Sequence, residues 1–518
     1  MRSAAASPKL RTTNLFISLT LSIFKEASSM KHYQQYINGI FEDGSDHLET
    51  VNPATNEAWA TAPAASEDDV NRAVAAAKAA LHSKEWAGLS ATARGKLLYR
   101  LADLVAERAQ DLAVLETTDS GKLLAETRMQ TGYVSDYYRF YAGLADKNNG
   151  HVLPIDKPDM HVFTTRVPIG VVAAIVPWNA QMFLTATKLG PALAAGNTVV
   201  LKASEMAPIP MLEFARIVHD AGFPPGVVNI ITGYGDPCGS TLTRHKDVAH
   251  IAFTGGPETA RHIVRNTAEN FAPVSLELGG KSPLIIFEDA NIESAVNGII
   301  AGNYGASGQS CVAGSRVFLH TSIHDEVIAK LEERVKDIVV GDPLDANTHM
   351  GPLATLEQHE RCTAVVKESV EQGARLVYGG KTPNGKTAGH YFEPTLLVCP
   401  SQDIKSVRTE CFGPVMSAIK FETEEEVIAM ANDSHLGLGA GVFTNDLARA
   451  HRVTQKIHSG IIWVNTYRAI SPIAPFGGFK DSGTGREAGV DSINDYTRTK
   501  TTWINTSAEP MANPFVMR

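Results

Sequence analysis

The chain has 518 residues, 44% of them apolar and 20% charged, with a formal charge of −9 at neutral pH. At roughly 150 residues per unit, that length predicts two to four units and a large buried core. The acidic balance excludes a general nucleic-acid binder, which needs a basic face, and no block of like charge implies a charged tail.

Residues 1–25 contain no acid and carry Arg2, Lys9 and Arg11, and Leu15–Phe24 is apolar. Ala27 and Ser29 are small residues placed as a signal peptidase requires, so residues 1–29 read as a signal or transit peptide. The apolar stretch is too short to span a bilayer, which takes about 20 apolar residues, and no membrane partner is expected. A further reading is a start at Met30, because Lys25-Glu26 can be encoded by a purine run like a bacterial ribosome-binding site. The cysteine content favours this last reading. Five cysteines, at 238, 311, 362, 399 and 411, are odd in number and none is spaced as CxxC. That pattern predicts reduced thiols in a cytoplasmic protein, and the histidines show no metal-ligand spacing, so no metal is expected.

From Met30 onward the pattern is α/β. Ser66-Glu67-Asp68-Asp69 predicts a capped helix start before the apolar-periodic run Val70–Leu81. A second long helix is predicted over 95–118, with Leu97, Leu98, Leu101, Leu104 and Val105 on one face. Two strand-like runs, His151–Ile155 and Met160–Arg166, flank Asp156-Lys157-Pro158-Asp159 and predict a hairpin. Val171–Pro177, Thr198–Lys202, Val227–Thr232 and His250–Thr254 read as buried parallel strands, with helices near 207–221 and 236–246 between them. This alternation predicts a doubly wound parallel sheet. A second alternating block spans about 283–465, with its clearest strands at Pro283–Phe287, Arg316–His320 and Gly460–Asn465. Tyr496–Ser507 has β propensity, and such a terminal strand leaves an open edge unless another chain pairs with it.

Three segments carry chemistry. Cys311 sits among small residues in Gly308-Gln309-Ser310-Cys311-Val312-Ala313-Gly314-Ser315-Arg316, where a substrate carbon can reach sulfur. An isolated cysteine is more often inert packing. Glu277 ends an apolar strand and precedes Gly279-Gly280-Lys281. A carboxylate in that setting is either a general base whose pKa burial has raised or the partner of Lys281. Asn179, in Pro177-Trp178-Asn179, either caps a turn or donates its amide to a developing oxyanion.

In their order along the chain, these motifs resemble the aldehyde dehydrogenase superfamily from about residue 36 to 507. The likeness extends to Lys202-Ala203-Ser204-Glu205, Phe253-Thr254-Gly255-Gly256, Leu276-Glu277-Leu278-Gly279-Gly280-Lys281, Glu410-Cys411-Phe412-Gly413-Pro414 and Pro475-Phe476-Gly477-Gly478-Phe479-Lys480-Asp481-Ser482-Gly483. The resemblance implies a Rossmann-like NAD unit made of residues 30–148 and 169–279, and a catalytic α/β unit over 280–487. It also implies bridging elements at 149–168 and 488–518 that join subunits into a homodimer or homotetramer.

The resemblance further implies roles for single residues. Cys311 is the nucleophile, Glu277 the base, Asn179 the oxyanion donor and Glu487 a second acid relaying protons. Lys202 and Glu205 hold the adenosine ribose, Glu410 holds the nicotinamide ribose, and Trp178 and Phe412 pack near the nicotinamide. Ile175, Pro177, Gly235, Thr254, Gly255, Gly256 and Leu278 complete the cofactor site. Glu205 implies NAD rather than NADP, because a 2′-phosphate would meet like charge. Two departures stand out: Ala203 where the family often has Pro, and Gly256 where it often has Ser. The latter leaves phosphate contacts to backbone N–H groups at the next helix N-terminus. Ala180, Leu184 and Thr187 on one side, and Tyr467, Arg468, Ile470 and Phe476 on the other, line the aldehyde tunnel. Small Ala180 and Thr187 imply width, Tyr467 and Phe476 can flank a ring, and Arg468 either binds a carboxylate or stays a solvated rim charge. A bulky or aromatic aldehyde is expected as substrate. Glu277 favours water over coenzyme A as the second substrate.

Overall fold

A computed structural model describes residues 30–511 and 513–516. The reading of residues 1–29 lies outside the described residues.

Two mostly parallel sheets organise the chain. The first has eight strands, with the order Gly483–Thr484, Val274–Glu277, Val248–Thr254, Val171–Ile175, Thr198–Ala203, Val228–Thr232, Gln35–Ile37, Ile40–Glu42. From Val171–Ile175 the chain winds outward through Thr198–Ala203 to Val228–Thr232, then returns to lay Val248–Thr254 on the other side of its starting strand. Strand order therefore reverses between Val171–Ile175 and Val248–Thr254. A crevice opens at the carboxyl ends of such a reversal. The five central strands are almost wholly buried, as their continuous apolar runs require when helices cover both faces.

The second sheet has seven strands, in the order Arg375–Tyr378, Thr395–Val398, Val415–Phe421, Arg316–His320, Pro283–Ile286, Gly439–Phe443, Ile461–Val464. Only Arg375–Tyr378 runs antiparallel to its neighbour. Five residues, 278–282, connect Glu277 at the carboxyl end of the first sheet to Pro283 at the amino end of a central strand of the second. The carboxyl edge of one sheet thus meets the amino edge of the other, which brings Glu277 and the segment before Arg316 together.

Ser66 caps the helix Glu67–Leu81, accepting from Asp69 N at 3.2 Å while the Asp69 carboxylate accepts from Ser66 N at 2.8 Å. The long helix predicted over 95–118 is two helices, Ala91–Glu107 and Ala109–Ser120. They part at Arg108, whose guanidinium donates to Asp111 at 2.9 Å and Glu213 at 3.0 Å and holds the corner. The helix predicted near 236–246 is regular only over Ser240–Arg244, because Asp236 is extended. The predicted hairpin is also revised. Its first arm makes a single bridge, Val152 to Phe163, while Met160–Pro168 pairs along nine residues with Thr497–Asn505. The terminal strand therefore finds a partner within its own chain. Among the described residues, no helix is long and apolar enough to cross a membrane.

Candidate active site

A cleft of about 580 Å³ occupies the crevice of the first sheet. Ile175, Pro177, Trp178, Lys202, Glu205, Gly235, Thr254, Gly255 and Gly256 line it, so nine of the residues read from sequence meet on one surface. Lys202 Nζ lies 3.4 Å from Glu205 Oε2. Gly256 stands before the helix Pro257–Asn266 with open space where a Cβ would project, so a phosphate can approach the free N–H groups there. Glu410 sits beyond the cleft's inner end. Its Oε1 accepts from Gly280 N at 3.0 Å, and a Cβ on Gly279 would lie 1.9 Å from its Oε2, so only glycine admits this approach. Burial pushes the Glu410 carboxyl up to about 7. Phe412 stacks edge-on against Trp178 with centroids 5.4 Å apart. Leu278 instead joins an apolar cluster that includes Phe253, and its N–H donates to Ser482 O at 2.9 Å. An anion-ready helix terminus, a carboxylate beside a lysine and a second carboxylate over glycine suit a dinucleotide with two riboses. The residues present therefore fit NAD(P).

Cys311 lies in the turn before the strand Arg316–His320. The approach to it is sharply bent: Ala306 and Ser307 both have φ of 54°, and Gly308 has 72°. Neighbours brace this bend. Glu126 Oε1 accepts from Ala306 N at 2.7 Å, Ser307 Oγ donates to Gly351 O at 2.9 Å, and Gln309 Oε1 accepts from Ala354 N at 2.9 Å. The Asn179 amide donates to Gln309 O at 3.0 Å, which places it two residues from the sulfur and leaves its second N–H free for another acceptor. Burial, with Glu410 and Glu277 nearby, pushes the Cys311 thiol up to about 12, against a lowering by the Arg468 charge. A nearby base must therefore take the proton when the sulfur reacts.

Glu277 ends its strand, is 4% exposed, and among the described residues has no hydrogen-bond partner for either carboxylate oxygen. Lys281, the alternative partner read from sequence, does not pair with it, and Lys281 Nζ is itself without a partner. Room for the Glu277 carboxyl comes from Gly477, where a Cβ would lie 2.9 Å from Oε1. A Cβ on Gly280 would lie 2.4 Å from the Cys311 carbonyl oxygen, so the loop after Glu277 packs directly on the cysteine. Burial raises the Glu277 pKa well above the usual carboxylate range. The Glu487 charge adds to the rise, and Lys188 and Arg486 oppose it.

Glu487 belongs to a buried network that the sequence reading did not contain. Lys188, fully buried, donates to Glu487 Oε1 and, at 2.6 Å, to Thr254 Oγ1. Thr187 belongs to the same network, its hydroxyl donating to Glu487 Oε2 at 2.8 Å. Lys188 had a signal in the sequence, being the one charged residue in the apolar helix Gln181–Ala194. Glu126 and Gln309 had none, because their roles depend on backbone atoms brought in from elsewhere.

Of the other tunnel residues, Cys311, Tyr467 and Phe476 pack on one small cluster with Val312, Leu438 and Trp463. Tyr467 Oη donates to Val312 O at 2.7 Å, and its ring meets Trp463 at 4.9 Å. Arg468 is half-buried and donates to Ala301 O at 2.9 Å. Ile470 is 39% exposed at the outer rim, where its carbonyl accepts from Tyr133 Oη at 3.1 Å. Ala180 and Leu184 pack on the core of the first sheet.

A doubly wound sheet whose crevice fits a dinucleotide defines a nicotinamide-dependent enzyme. The chain belongs to the aldehyde dehydrogenase family, whose model matches residues 40–502. It is 58% identical over 490 residues to (Z)-2-((N-methylformamido)methylene)-5-hydroxybutyrolactone dehydrogenase of Acinetobacter baylyi, covering 94% of this chain and 100% of that relative. It is 42% identical over 479 residues to aldehyde dehydrogenase 1 of Tanacetum cinerariifolium, covering 92% of this chain and 95% of the relative. Among solved structures, betaine aldehyde dehydrogenase of Staphylococcus aureus in complex with NAD+ superposes with a TM-score of 0.92 at 37% identity, over 94% of this chain and 97% of that one. The chain is thus an aldehyde dehydrogenase, an oxidoreductase that converts aldehydes to acids.

Proposed function

We propose that the chain oxidises its aldehyde through a covalent adduct on Cys311, with Glu277 as base and water as the second substrate. The observation that carries this reading is the buried Glu277 carboxyl, both oxygens unpartnered among the described residues, at the strand end whose following loop packs on Cys311. Such a group is costly to bury unless a reacting species supplies its partner. In the proposed sequence the Cys311 proton passes to Glu277 as sulfur adds to the carbonyl carbon. The free Asn179 N–H and the Cys311 backbone N–H hold the resulting oxyanion. NAD held in the cleft would supply the hydride acceptor, and loss of hydride from that carbon would leave a thioester on Cys311. Glu277 first yields the Cys311 proton toward Glu487, then takes a proton from water as the water oxygen attacks the thioester, and the acid leaves as sulfur takes that second proton from Glu277. Glu487, held by Lys188 and Thr187, passes the surplus proton outward.

Lys202 and Glu205 would hold the adenosine ribose and Glu410 the nicotinamide ribose. Glu205 gives the preference for NAD, because its charge opposes a 2′-phosphate. For substrate, we infer a bulky aldehyde that also carries a carboxylate. The name of the Acinetobacter relative specifies a 5-hydroxybutyrolactone. Such a ring is a masked aldehyde, since opening it yields an aldehyde and a carboxylate. Arg468, whose charge is felt at the Cys311 thiol and which donates to Ala301 O, would turn to receive that carboxylate. Two copies, or two pairs of copies, would join through the sheet formed by Met160–Pro168 and Thr497–Asn505, where Trp503 and Ile504 lie exposed.

The test is NADH absorbance growth without coenzyme A. Growth with a 5-hydroxybutyrolactone, lost in Cys311→Ala, supports the covalent route. Arg468→Met should raise KM for that substrate while leaving benzaldehyde turnover unchanged. Short aliphatic aldehydes outpacing both would overturn the substrate reading, and activity surviving in Cys311→Ala would overturn the mechanism.

A further inference from the structure

We propose that His32, Asp43 and His47 form a binding site for a divalent metal ion of the zinc class, remote in function from the aldehyde chemistry. Spacing along the sequence offers no ligand pattern here, and strand pairing creates one. His32 lies on the short strand Lys31–His32, and His47 opens the strand His47–Asn52. Both strands pair with Glu57–Pro63, one on each side. Asp43 sits in the loop leading into the second of them. One nitrogen from each imidazole and one carboxylate oxygen lie within 4.8 Å of one another.

The partners of His32 leave room for a cation. Its Nδ1 lies 2.8 Å from Thr61 Oγ1, and its Nε2 lies 2.7 Å from Asp43 Oδ1. In the tautomer whose Nδ1–H donates to the threonine, Nε2 turns a lone pair toward Asp43 and the two can share a cation; in the other, Nε2–H donates to Asp43 and no cation is needed. A neighbouring group fixing the other ring nitrogen is also how metal-bound histidines are oriented. The His47 ring stands 4.9 Å from that of His32, so a second imidazole faces the same point. Zinc bonds of about 2.0–2.1 Å in a tetrahedron put ligand atoms about 3.4 Å apart, so side-chain movements of about 1 Å close the site. Two imidazoles and a carboxylate suit zinc, and the half-exposed setting leaves the fourth position to water. Bound metal would tie the two outer strands together across the middle one and stabilise that sheet by mass action.

The rival is a His32 that only hydrogen-bonds Asp43 through Nε2–H and has no affinity for metal. Tag-free full-length protein is titrated with zinc near neutral pH by calorimetry, in a Cys311→Ala background so that the active-site thiol does not bind. One site of micromolar affinity is expected, weakened at least tenfold in His47→Ala and in Asp43→Asn. Zinc should also raise the melting temperature of the parent and not of these variants. His47→Ala in the chain that keeps Cys311 should oxidise aldehyde at the parent rate, which shows that the fold is intact. No binding at millimolar zinc, or equal binding in His47→Ala, overturns the proposal.

Discussion

Lys188→Met tests whether the buried network behind Glu277 is held by charge. Lys188 is 0% exposed and Glu487 5%, so neither end of their contact is relieved by water. Opposite charges about 3 Å apart at an effective dielectric of about 20 attract by roughly 5–6 kcal/mol. Removing one member of a buried pair costs about 3–5 kcal/mol, because the other is left uncompensated. For a folding unit of about 200 residues, that loss lowers the melting temperature by roughly 6–20 °C. The Thr254 hydroxyl also loses its partner, which adds to the cost and not to the pairing. The assay is a double-mutant cycle by thermal unfolding at one pH and one protein concentration, using Lys188→Met, Glu487→Gln and the double variant. The double variant should be more stable than the sum of the single losses by at least about 1.5 kcal/mol, since it leaves no buried charge alone. Additivity within about 0.5 kcal/mol would refute the reasoning.

Glu277→Gln should slow turnover by about 10²–10⁴ and lose any full-amplitude NADH burst, because both the attack by Cys311 and the hydrolysis use this base. In the parent the base form appears only above the raised Glu277 pKa, so thioester hydrolysis should accelerate as pH climbs from the ordinary carboxylate range, and Glu277→Gln should flatten that rise. Turnover at the parent rate would rule Glu277 out as the base. Asn179→Ala should lower kcat/KM by about 10²–10³ while NAD affinity, read by fluorescence quenching, stays put. Glu205→Gln should shift the NAD-to-NADP ratio of kcat/KM toward NADP by about tenfold, equivalent to about 1.4 kcal/mol, and an unmoved ratio would count against the ribose reading.

The parallel strands were legible because burial on both faces demands uninterrupted apolar runs, and Val171–Ile175 and Thr198–Ala203 have them. The nine residues that meet in the cleft were named from the likeness of their motifs to a family, since a glycine or a carboxylate at a strand end has many other uses. What escaped depended on distance along the chain. The hydrogen bond from Thr187 to Glu487 spans 300 residues. The break at Arg108 needs Glu213 from a different helix. Glu126 looks like a helix-start acid until Ala306 arrives 180 residues on to use it. Local propensity records none of these partners.

The pairing of Met160–Pro168 with Thr497–Asn505 has a consequence for synthesis. The first strand leaves the ribosome more than 300 residues before its partner. At about 5–20 residues per second, it waits tens of seconds with a bare hydrogen-bonding edge. Its defence in that interval is its own composition. Thr164, Thr165 and Arg166 interrupt the apolar residues, and Pro168 closes the run where no N–H can be offered. The last nine-residue strand to be made is thus the clasp that retires an aggregation hazard carried since the first third of translation.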